Sequence, residues 1–283
     1  MPSRIAVYLM RGNGRSQRMG RAMAKGILAA GDLPIVRDDG QYIGPQESIA
    51  VFYGYEKNMP RIMSDYVAAG RVAVFLDLGY WGRRVGGRFR GFHKVAINAR
   101  HPGPYFYRRP MPPDRVRQFN LAVRPYRKQG EHILIAGMSG KAAATVGMEP
   151  NAWERTAIAK LRQHTNRPII YRPKPSWLSA TRLDGADWSP PSQPLESALK
   201  NAWAVVTHHS NVAIDGLVAG IPAFCADGAA VPMALHDLAR IESPLLPDGR
   251  EQWLANLAYC QWSVAEMENG TLWRYLKREG LIQ

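Results

Sequence analysis

The sequence contains little cysteine and no long hydrophobic run. Cys225 and Cys260 are its only cysteines, and they have neither a metal-ligand spacing nor the density of a disulfide framework. No apolar run approaches the roughly 18 residues that span a membrane. The apolar stretch near the start is too short and too arginine-flanked for a signal peptide. These absences predict a protein of the reducing cytoplasm with no membrane span.

Acidic side chains are scarce in one half of the chain. Residues 1–130 contain 23 Lys and Arg against 8 Asp and Glu, whereas residues 131–283 contain 14 against 15. The formal net charge of +14 therefore comes from the first half. A basic half beside a neutral half indicates that one surface meets a polyanion while the other does different work. The alternative is a basic surface that serves solubility.

Apolar strand-like runs alternate with amphipathic helical segments along most of the chain. The runs are IAVYLM, LPIVRD, SIAVFYGY, RVAVFLDLGYW, HILIAGMS, PIIYRP, WAVVTHH and PAFCAD. This alternation is typical of parallel sheets with helices on their faces. Residues 82–130 interrupt it with Gly, Pro and Arg. The sequence therefore predicts an α/β fold of two Rossmann-like domains facing a cleft, residues 1–130 with a basic loop 82–130 and residues 131–283.

Polar and cationic residues follow the predicted strands of the second domain. Ligands of open α/β sheets bind beyond the carboxyl ends of the strands. Backbone N–H groups at a helix start, small hydroxyls and nearby cations suit a diphosphate. Each element alone also fits an ordinary helix cap, but several in one domain favour phosphate binding. The candidate donor-binding residues at these positions are Gly140, Lys141, Arg172, Lys174, His209, Ser210 and Asn211.

The segment SNVAIDGLVAGIP, residues 210–222, resembles the donor site of GT-B glycosyltransferases. The resemblance is to the family of the peptidoglycan enzyme that adds N-acetylglucosamine to lipid I. There a small-residue turn opens a helix, and an acidic residue precedes a Gly-Ile-Pro by five positions, as Asp215 precedes Gly220. The family usually has Glu there and a glycine pair at the turn, where this chain has His208 to Asn211.

The resemblance implies a GT-B fold and a nucleotide-diphosphate sugar, expected to be a UDP-sugar, as co-substrate with no other cofactor. It implies that Asp215 binds the ribose hydroxyls and that the turn meets the diphosphate. No pair of carboxylates in a DxD pattern stands out in the second domain, so we expect no essential metal.

The first domain of such an enzyme holds the acceptor. Gly12 and Asn13 follow the first strand, and glycine there lets the backbone approach a ligand closely. The catalytic base of an inverting enzyme is a carboxylate or a histidine in this domain, and the candidates are Asp77, His93 and His101. A carboxylate at a strand end in apolar surroundings is a reasonable base, so we predict Asp77 in this role and His101 as its alternative.

Residues 81–94, WGRRVGGRFRGFHK, interleave cations with aromatic rings and glycines. Basic side chains neutralise phosphates and aromatic rings stack on bases, which makes DNA the favoured partner. The candidate DNA-binding residues are Arg83, Arg84, Arg88, Arg90 and Lys94.

The segments DLGYWGR, YRPKP and THHSN resemble proteins of tailed bacteriophages, and known phage DNA glucosyltransferases are GT-B enzymes. The resemblance implies transfer to 5-hydroxymethylpyrimidines of phage DNA in the host cytoplasm. One alternative is a capsule or lipopolysaccharide glycosyltransferase. Another is a non-catalytic nucleic-acid-binding protein with a degenerate transferase fold. The oligomeric state stays open.

Overall fold

The computed structural model describes residues 2–283 and divides the chain into two compact units. Unit 1 comprises Met1–Phe119 and Leu254–Gln283, and unit 2 comprises Asn120–Trp253. Each unit is built on one six-stranded sheet. Among the described residues, no helix has both the length and the apolar character needed to cross a membrane.

The sheet of unit 1 is parallel except for one strand. Its order is β12-β5-β4-β3-β1-β2, and β5 runs antiparallel to both of its neighbours, β4 and β12. The strands are β1 (Arg4–Leu9), β2 (Leu33–Asp38), β3 (Ile49–Tyr53), β4 (Val72–Leu78), β5 (Phe92–Ile97) and β12 (Gln261–Ser263). The helices are α1 (Gly14–Ala29), α2 (Met59–Ala68), α3 (Asp114–Arg117), α9 (Val264–Glu268) and α10 (Thr271–Arg278), with α8 (Arg250–Ala258) shared between the units.

The core of unit 1 follows from its apolar strands. β3 is buried along its whole length, as expected for a parallel strand covered on both faces. Phe52 and Phe75 face α2, where they pack with Ile62 and Tyr66. On the other face α1 packs against β1 and β3, and α9 packs against α1.

The sheet of unit 2 is entirely parallel. Its order is β11-β10-β9-β6-β7-β8, so the chain winds from β6 to one side and then from β9 to the other. This is the doubly wound Rossmann order, whose switch point lies between β6 and β9. The strands are β6 (His132–Ala136), β7 (Ile169–Arg172), β8 (Asp187–Trp188), β9 (Ala202–Thr207), β10 (Ala223–Cys225) and β11 (Ala234–Leu235). The helices are α4 (Gly140–Ala144), α5 (Ala152–Arg162), α6 (Leu195–Leu199) and α7 (Val212–Val218).

The α/β fold with two Rossmann-like units is confirmed, but the structure divides the chain differently from the prediction. The segment after Phe119 packs in unit 2, where the N–H of Arg124 bonds to the Val218 carbonyl at 2.9 Å. The C-terminal segment returns to unit 1, because β12 extends its sheet beside β5. β5 lies inside the segment 82–130 that was predicted as a loop. The prediction missed this strand because glycine and arginine residues flank it.

Candidate functional site

The carboxyl ends of β6 and β9 lie side by side at the switch point of unit 2. The Thr207 hydroxyl ties them together, because it donates to the Ala136 carbonyl at 2.7 Å and accepts the Ser210 N–H at 3.1 Å. One turn then leads from β6 into α4, and another leads from β9 into α7. Ligands of doubly wound sheets bind at this point, so these two turns form the candidate site of unit 2.

Most of the predicted donor residues belong to these two turns. Ser139 caps α4 by accepting the Ala142 N–H at 3.2 Å, which places Gly140 and Lys141 at the start of that helix. The remaining members of the set lie on the neighbouring turn and the start of α7: His209, Ser210, Asn211 and Asp215. Asp215 is half-buried there. The structure therefore brings these predicted residues to one edge of one sheet.

Arg172 and Lys174 follow β7, one strand away. The buried Arg172 guanidinium donates to Ser189 Oγ at 3.2 Å and to the carbonyls of Pro190 and Gln193 at 3.3 and 2.6 Å. This cation therefore fixes the loop after β8. Lys174 is exposed. The structure does not place either cation on the two turns at the switch point.

Two histidines form a pair on the turn after β9. His208 Nδ1 lies 2.8 Å from His209 Nδ1, and the His208 ring packs edge-on against Trp153, 5.7 Å away between centroids. One of these nitrogens must donate and the other accept, so the rings have opposite tautomers. The ring whose Nδ1 accepts carries its hydrogen on Nε2 and can donate a hydrogen bond to a ligand oxygen.

Glu154, which no sequence motif indicates, lies behind the turn after β6. Its fully buried carboxylate accepts the Met138 N–H at 2.6 Å through Oε1, whereas Oε2 has no hydrogen-bond partner among the described residues. Burial raises the pKa of Glu154. A Cβ at Gly137 would lie 2.5 Å from Tyr171 Cε2 and 3.2 Å from Glu154 Oε1, so glycine leaves room for both side chains. In the sequence, only Gly137 could have indicated that a side chain is buried beside this turn.

Gly220, part of the segment that resembles a donor site, has a structural task. It follows the end of α7 with a φ of +76°, and its N–H bonds to the Leu217 carbonyl at 3.3 Å. A Cβ at this position would overlap the Pro125 carbonyl oxygen. The position of Gly220, five residues after Asp215, is therefore also explained by the end of α7 and by its contact with the segment 124–127.

The loop after β1 in unit 1 is held by side chains. Asn13 Oδ1 caps α1 by accepting the N–H groups of Arg15 and Ser16, both at 3.1 Å. Ser16 Oγ accepts the Met10 N–H at 2.9 Å, and the buried Asp39 accepts the Arg11 N–H at 3.1 Å. Gly12 is exposed with a φ of +76°. The predicted acceptor loop is thus fixed at the switch point between β1 and β3.

Asp77 lies at the same edge of this sheet, one residue before β4 ends. Its carboxylate accepts the Leu78 N–H at 2.8 Å, and its backbone pairs with Lys94 across β5. Tyr53, at the end of β3, accepts a hydrogen bond from Arg15 at 3.4 Å. Burial, followed by the charge of Asp77, raises the pKa of Tyr53. The predicted base therefore stands beside a tyrosine, a buried lysine and the start of α1.

His93 completes this group from β5. Its ring is fully buried and lies 5.8 Å from the Tyr53 ring. Nδ1 lies 3.0 Å from the Gly91 carbonyl, which can only accept, so Nδ1 carries the hydrogen and Nε2 is bare. Nε2 has no hydrogen-bond partner among the described residues. Burial lowers the pKa of His93 to about 4, so the ring is neutral at physiological pH.

His101 follows β5 at its other end. β5 runs antiparallel, so Ile97 pairs with Val74 near the start of β4, three residues before Asp77. His101 comes four residues after Ile97. The register therefore places Asp77 near the end of β4, whereas the residues that lead to His101 leave β5 near the start of β4.

The predicted DNA-binding residues divide into two groups. Arg84, Arg88 and Arg90 are exposed on the loop between β4 and β5. Arg83 is half-buried and donates to the Tyr80 carbonyl at 3.0 Å. Lys94 is buried inside β5, with its ammonium 5.5 Å from the centre of the Phe75 ring. The loop thus presents its arginines to solvent, whereas Lys94 belongs to the group around Asp77.

The whole chain is similar in fold to two solved Kdo transferases. Thermosulfurimonas dismutans KpsC, beta Kdo 2,4 transferase, matches at 14% identity over 91% of this chain and 90% of that chain, with a TM-score of 0.53. The beta Kdo 2,7 transferase of KpsC from the same organism matches at 13% identity over 96% and 99%, with a TM-score of 0.52. No family model matches the sequence, and no curated protein matches it. At these identities the likeness extends to the fold alone, which is GT-B-like.

Proposed function

We propose that the chain is a glycosyltransferase in which unit 2 binds a nucleotide-diphosphate sugar and unit 1 binds a hydroxyl acceptor. The observation that carries the proposal is the pair of neighbouring turns after β6 and β9, in a sheet with Rossmann strand order. Their small residues, backbone N–H groups and histidine pair suit a phosphate-bearing ligand. The fold likeness to two sugar transferases along nearly the whole chain supports the same proposal.

The residues take distinct roles in this proposal. Asp215 accepts hydrogen bonds from the ribose hydroxyls of a donor that we expect to be a UDP-sugar. The turns with Gly140 and Ser210 meet the diphosphate. Asp77 receives the proton of the acceptor hydroxyl. The oxygen of that hydroxyl bonds to the anomeric carbon of the sugar, and the bond from this carbon to the nucleotide diphosphate breaks. A positioned carboxylate of this kind contributes about 10²–10⁴-fold to a rate.

DNA is the acceptor that we favour. With the observed unit boundaries, unit 1 contains 23 Lys and Arg against 11 Asp and Glu, whereas unit 2 contains 14 against 12. The exposed arginines of the loop between β4 and β5 belong to unit 1, and cations of this kind neutralise backbone phosphates. A 5-hydroxymethylpyrimidine would supply the hydroxyl after leaving the base stack.

An anionic glycan of a capsule or lipopolysaccharide is the second candidate acceptor. The observation that favours it is the fold likeness to the two Kdo transferases. An anionic glycan, like DNA, would bind to a positively charged acceptor unit. A non-catalytic DNA-binding protein of the same fold is the third candidate.

Two assays separate these candidates. Release of nucleotide from a mixture of nucleotide sugars, measured with and without acceptor, distinguishes an enzyme from a binding protein. Binding to duplex and single-stranded DNA over a range of salt distinguishes a DNA acceptor from a glycan. The logarithm of affinity should fall linearly with the logarithm of salt, with a slope near −0.9 per phosphate contacted. Neutralising Arg88 and Arg90 together should reduce the slope by up to about two, and salt-independent or absent binding would move the proposal to the glycan.

A further inference from the structure

Two guanidinium groups on the first turns of α1 have no anionic partner. Neither Arg15 nor Arg18 forms an ion pair with a carboxylate in the part of the chain that the structure describes. The Arg15 guanidinium donates to the Tyr53 hydroxyl at 3.4 Å and lies over the Phe89 ring, and Arg18 donates to the Phe89 carbonyl at 3.3 Å. Arg18 Nε is buried and has no partner among the described residues. Charged groups of this kind are costly to leave uncompensated, so the pair is suited to an anion from outside.

A second, independent observation points to a ligand at the same place. His93 is fully buried, and its bare Nε2 is without a hydrogen-bond partner among the described residues. Its ring contacts that of Tyr53, whose hydroxyl accepts the bond from Arg15. A bare ring nitrogen accepts hydrogen bonds and cannot donate. The group that satisfies it must therefore be a donor such as a hydroxyl.

We propose that unit 1 has a two-point site in which Arg15 and Arg18 bind an anionic oxygen while His93 Nε2 accepts a hydrogen bond from a hydroxyl of the same ligand. The ligand class is a phosphodiester that carries a free hydroxyl, such as a DNA segment with a 5-hydroxymethylpyrimidine. This assignment rests on the proposed function, because it names the acceptor of the same unit. His93 is then a residue that positions the acceptor hydroxyl in the bound state. The hydroxyl has one hydrogen, so it must turn that hydrogen from Nε2 toward the Asp77 carboxylate before transfer.

Phe89 lies against the two arginines of this site. Its ring lies under the Arg15 guanidinium, at 4.9 Å between the guanidinium carbon and the ring centre, and under Arg84 at 4.3 Å. These contacts and the bond from Arg18 hold Phe89 against the first turns of α1. A planar base that stacks on the same guanidinium would replace the Phe89 ring. The substitution Phe89→Ala should therefore leave oligonucleotide affinity unchanged or raise it.

The test measures binding without a donor, so that it is independent of catalysis. The probes are a short single-stranded oligonucleotide containing one 5-hydroxymethylcytosine and its unmodified counterpart, followed by fluorescence anisotropy at fixed salt. Arg15→Gln and Arg18→Gln should each weaken binding about tenfold, the usual effect of losing a charge-assisted hydrogen bond. Arg21→Gln is the matched control, because Arg21 is exposed on the same helix and bonds only to Gln17. It should change affinity by about twofold or less.

His93→Asn sharpens the test, because its amide can still donate to the Gly91 carbonyl while nothing replaces Nε2. It should abolish the preference for the hydroxymethylated probe and leave affinity for the unmodified probe unchanged. Equal losses in all three arginine variants would overturn the site, since they would reflect net charge alone. The phosphodiester assignment would be overturned by a carboxylated oligosaccharide that binds in place of both probes with the same dependence on Arg15 and Arg18.

Failure of this inference and failure of the proposed function give different results. Sugar transfer with an unchanged acceptor KM in Arg15→Gln and Arg18→Gln would remove the site and keep the function. Binding that depends on both arginines, in a protein that turns over no donor, would keep the site and remove the function.

Discussion

Units 1 and 2 share an α/β architecture but place different chemistry at the edges of their sheets. In unit 2 every strand is parallel, so the edge at the switch point consists of backbone turns and helix starts. In unit 1 the antiparallel β5 returns along β4 and sets His93 and Lys94 beside Leu78 and Asp77. Both edges have turns and helix starts, and the antiparallel strand adds His93 and Lys94 to the edge of unit 1. In the proposed function, donor binding belongs to unit 2 and proton transfer to unit 1.

The largest expected effect is a loss of turnover in unit 1 that leaves donor binding in unit 2 unchanged. Asp77→Asn should lower turnover by about 10²–10⁴-fold, because the amide cannot accept the proton of the acceptor hydroxyl. Nucleotide affinity, measured by calorimetry, should not change. Asp65→Asn is the control, because Asp65 lies on α2 in unit 1, where it pairs with Arg61 and accepts a hydrogen bond from Tyr42 that the asparagine oxygen can still accept. Normal turnover in Asp77→Asn, together with lost turnover in His101→Ala, would transfer the role of base to His101.

Two glycines that follow helices should differ in what they contribute to stability. Gly220→Ala should lower the free energy of unfolding by about 2–4 kcal/mol, because a positive φ and overlap with the Pro125 carbonyl both penalise a Cβ. Gly70, which follows α2 in unit 1 with a φ of +65°, has open space around its Cβ position. Gly70→Ala should cost about 1 kcal/mol in urea unfolding. Equal losses would mean that backbone conformation alone explains Gly220.

Donor binding should respond to a change in unit 2 and be insensitive to one in unit 1. Asp215→Ala should weaken the binding of UDP by about 1–3 kcal/mol, the usual cost of losing a buried hydrogen-bond partner. Asp77→Ala is the comparison in unit 1, and calorimetry with UDP should give it the affinity of the unaltered chain. Unchanged UDP affinity in Asp215→Ala would remove this residue from the donor site.

Acid should act in opposite directions through one carboxyl of unit 1 and one of unit 2. In unit 1, hydrogen bonds from Arg37 at 2.6 and 2.8 Å outweigh burial and lower the pKa of Glu47 below its ordinary 4.5. Its stabilising contribution is present above about pH 4.5 and is lost as the pH falls through the folded value. In unit 2, burial raises the pKa of Glu154 above 4.5. Its contribution is complete below about pH 4.5 and is lost as the pH rises through the folded value.

Urea unfolding as a function of pH checks both signs. Glu47→Gln should be less stable than the unaltered chain by about 1 kcal/mol at neutral pH, and this difference should shrink below about pH 4.5. Glu154→Gln should show no loss, or a small gain, at neutral pH, and the gain should vanish on acidification. The opposite trend at Glu154 would mean that an ionised carboxylate is stabilised there.

The apolar pattern predicted most of the sheet strands. Residues 33–38 were expected as a strand and β2 spans them all, because a long alternation of apolar runs leaves little choice of fold. β5 was missed, since its polar His93 and Lys94 lie between glycine- and arginine-rich segments and its partners are distant in sequence. Pairing of this kind depends on tertiary contacts that local pattern does not contain.

The residues of the candidate site that follow strand ends could be predicted from the sequence. The polar residues whose position depends on burial in the folded chain could not. Ser210 and Asn211 follow β9, and the order of the strands brings them to the switch point. Glu154 lies in an ordinary helical pattern, so its burial against Met138 depends on packing. Arg172 follows a strand as expected, yet the contacts that hold its guanidinium come from residues 189–193.

Mass spectrometry of nucleosides tests the central claim most directly. The chain is incubated with DNA that contains 5-hydroxymethylpyrimidines and with a mixture of nucleotide sugars, and the DNA is then digested. The account predicts a nucleoside whose mass has increased by one sugar residue, formed by the unaltered chain and strongly reduced in Asp77→Asn. It would be contradicted if no donor is consumed with hydroxymethylated DNA or with an anionic glycan, because a chain that transfers to neither is not the proposed enzyme.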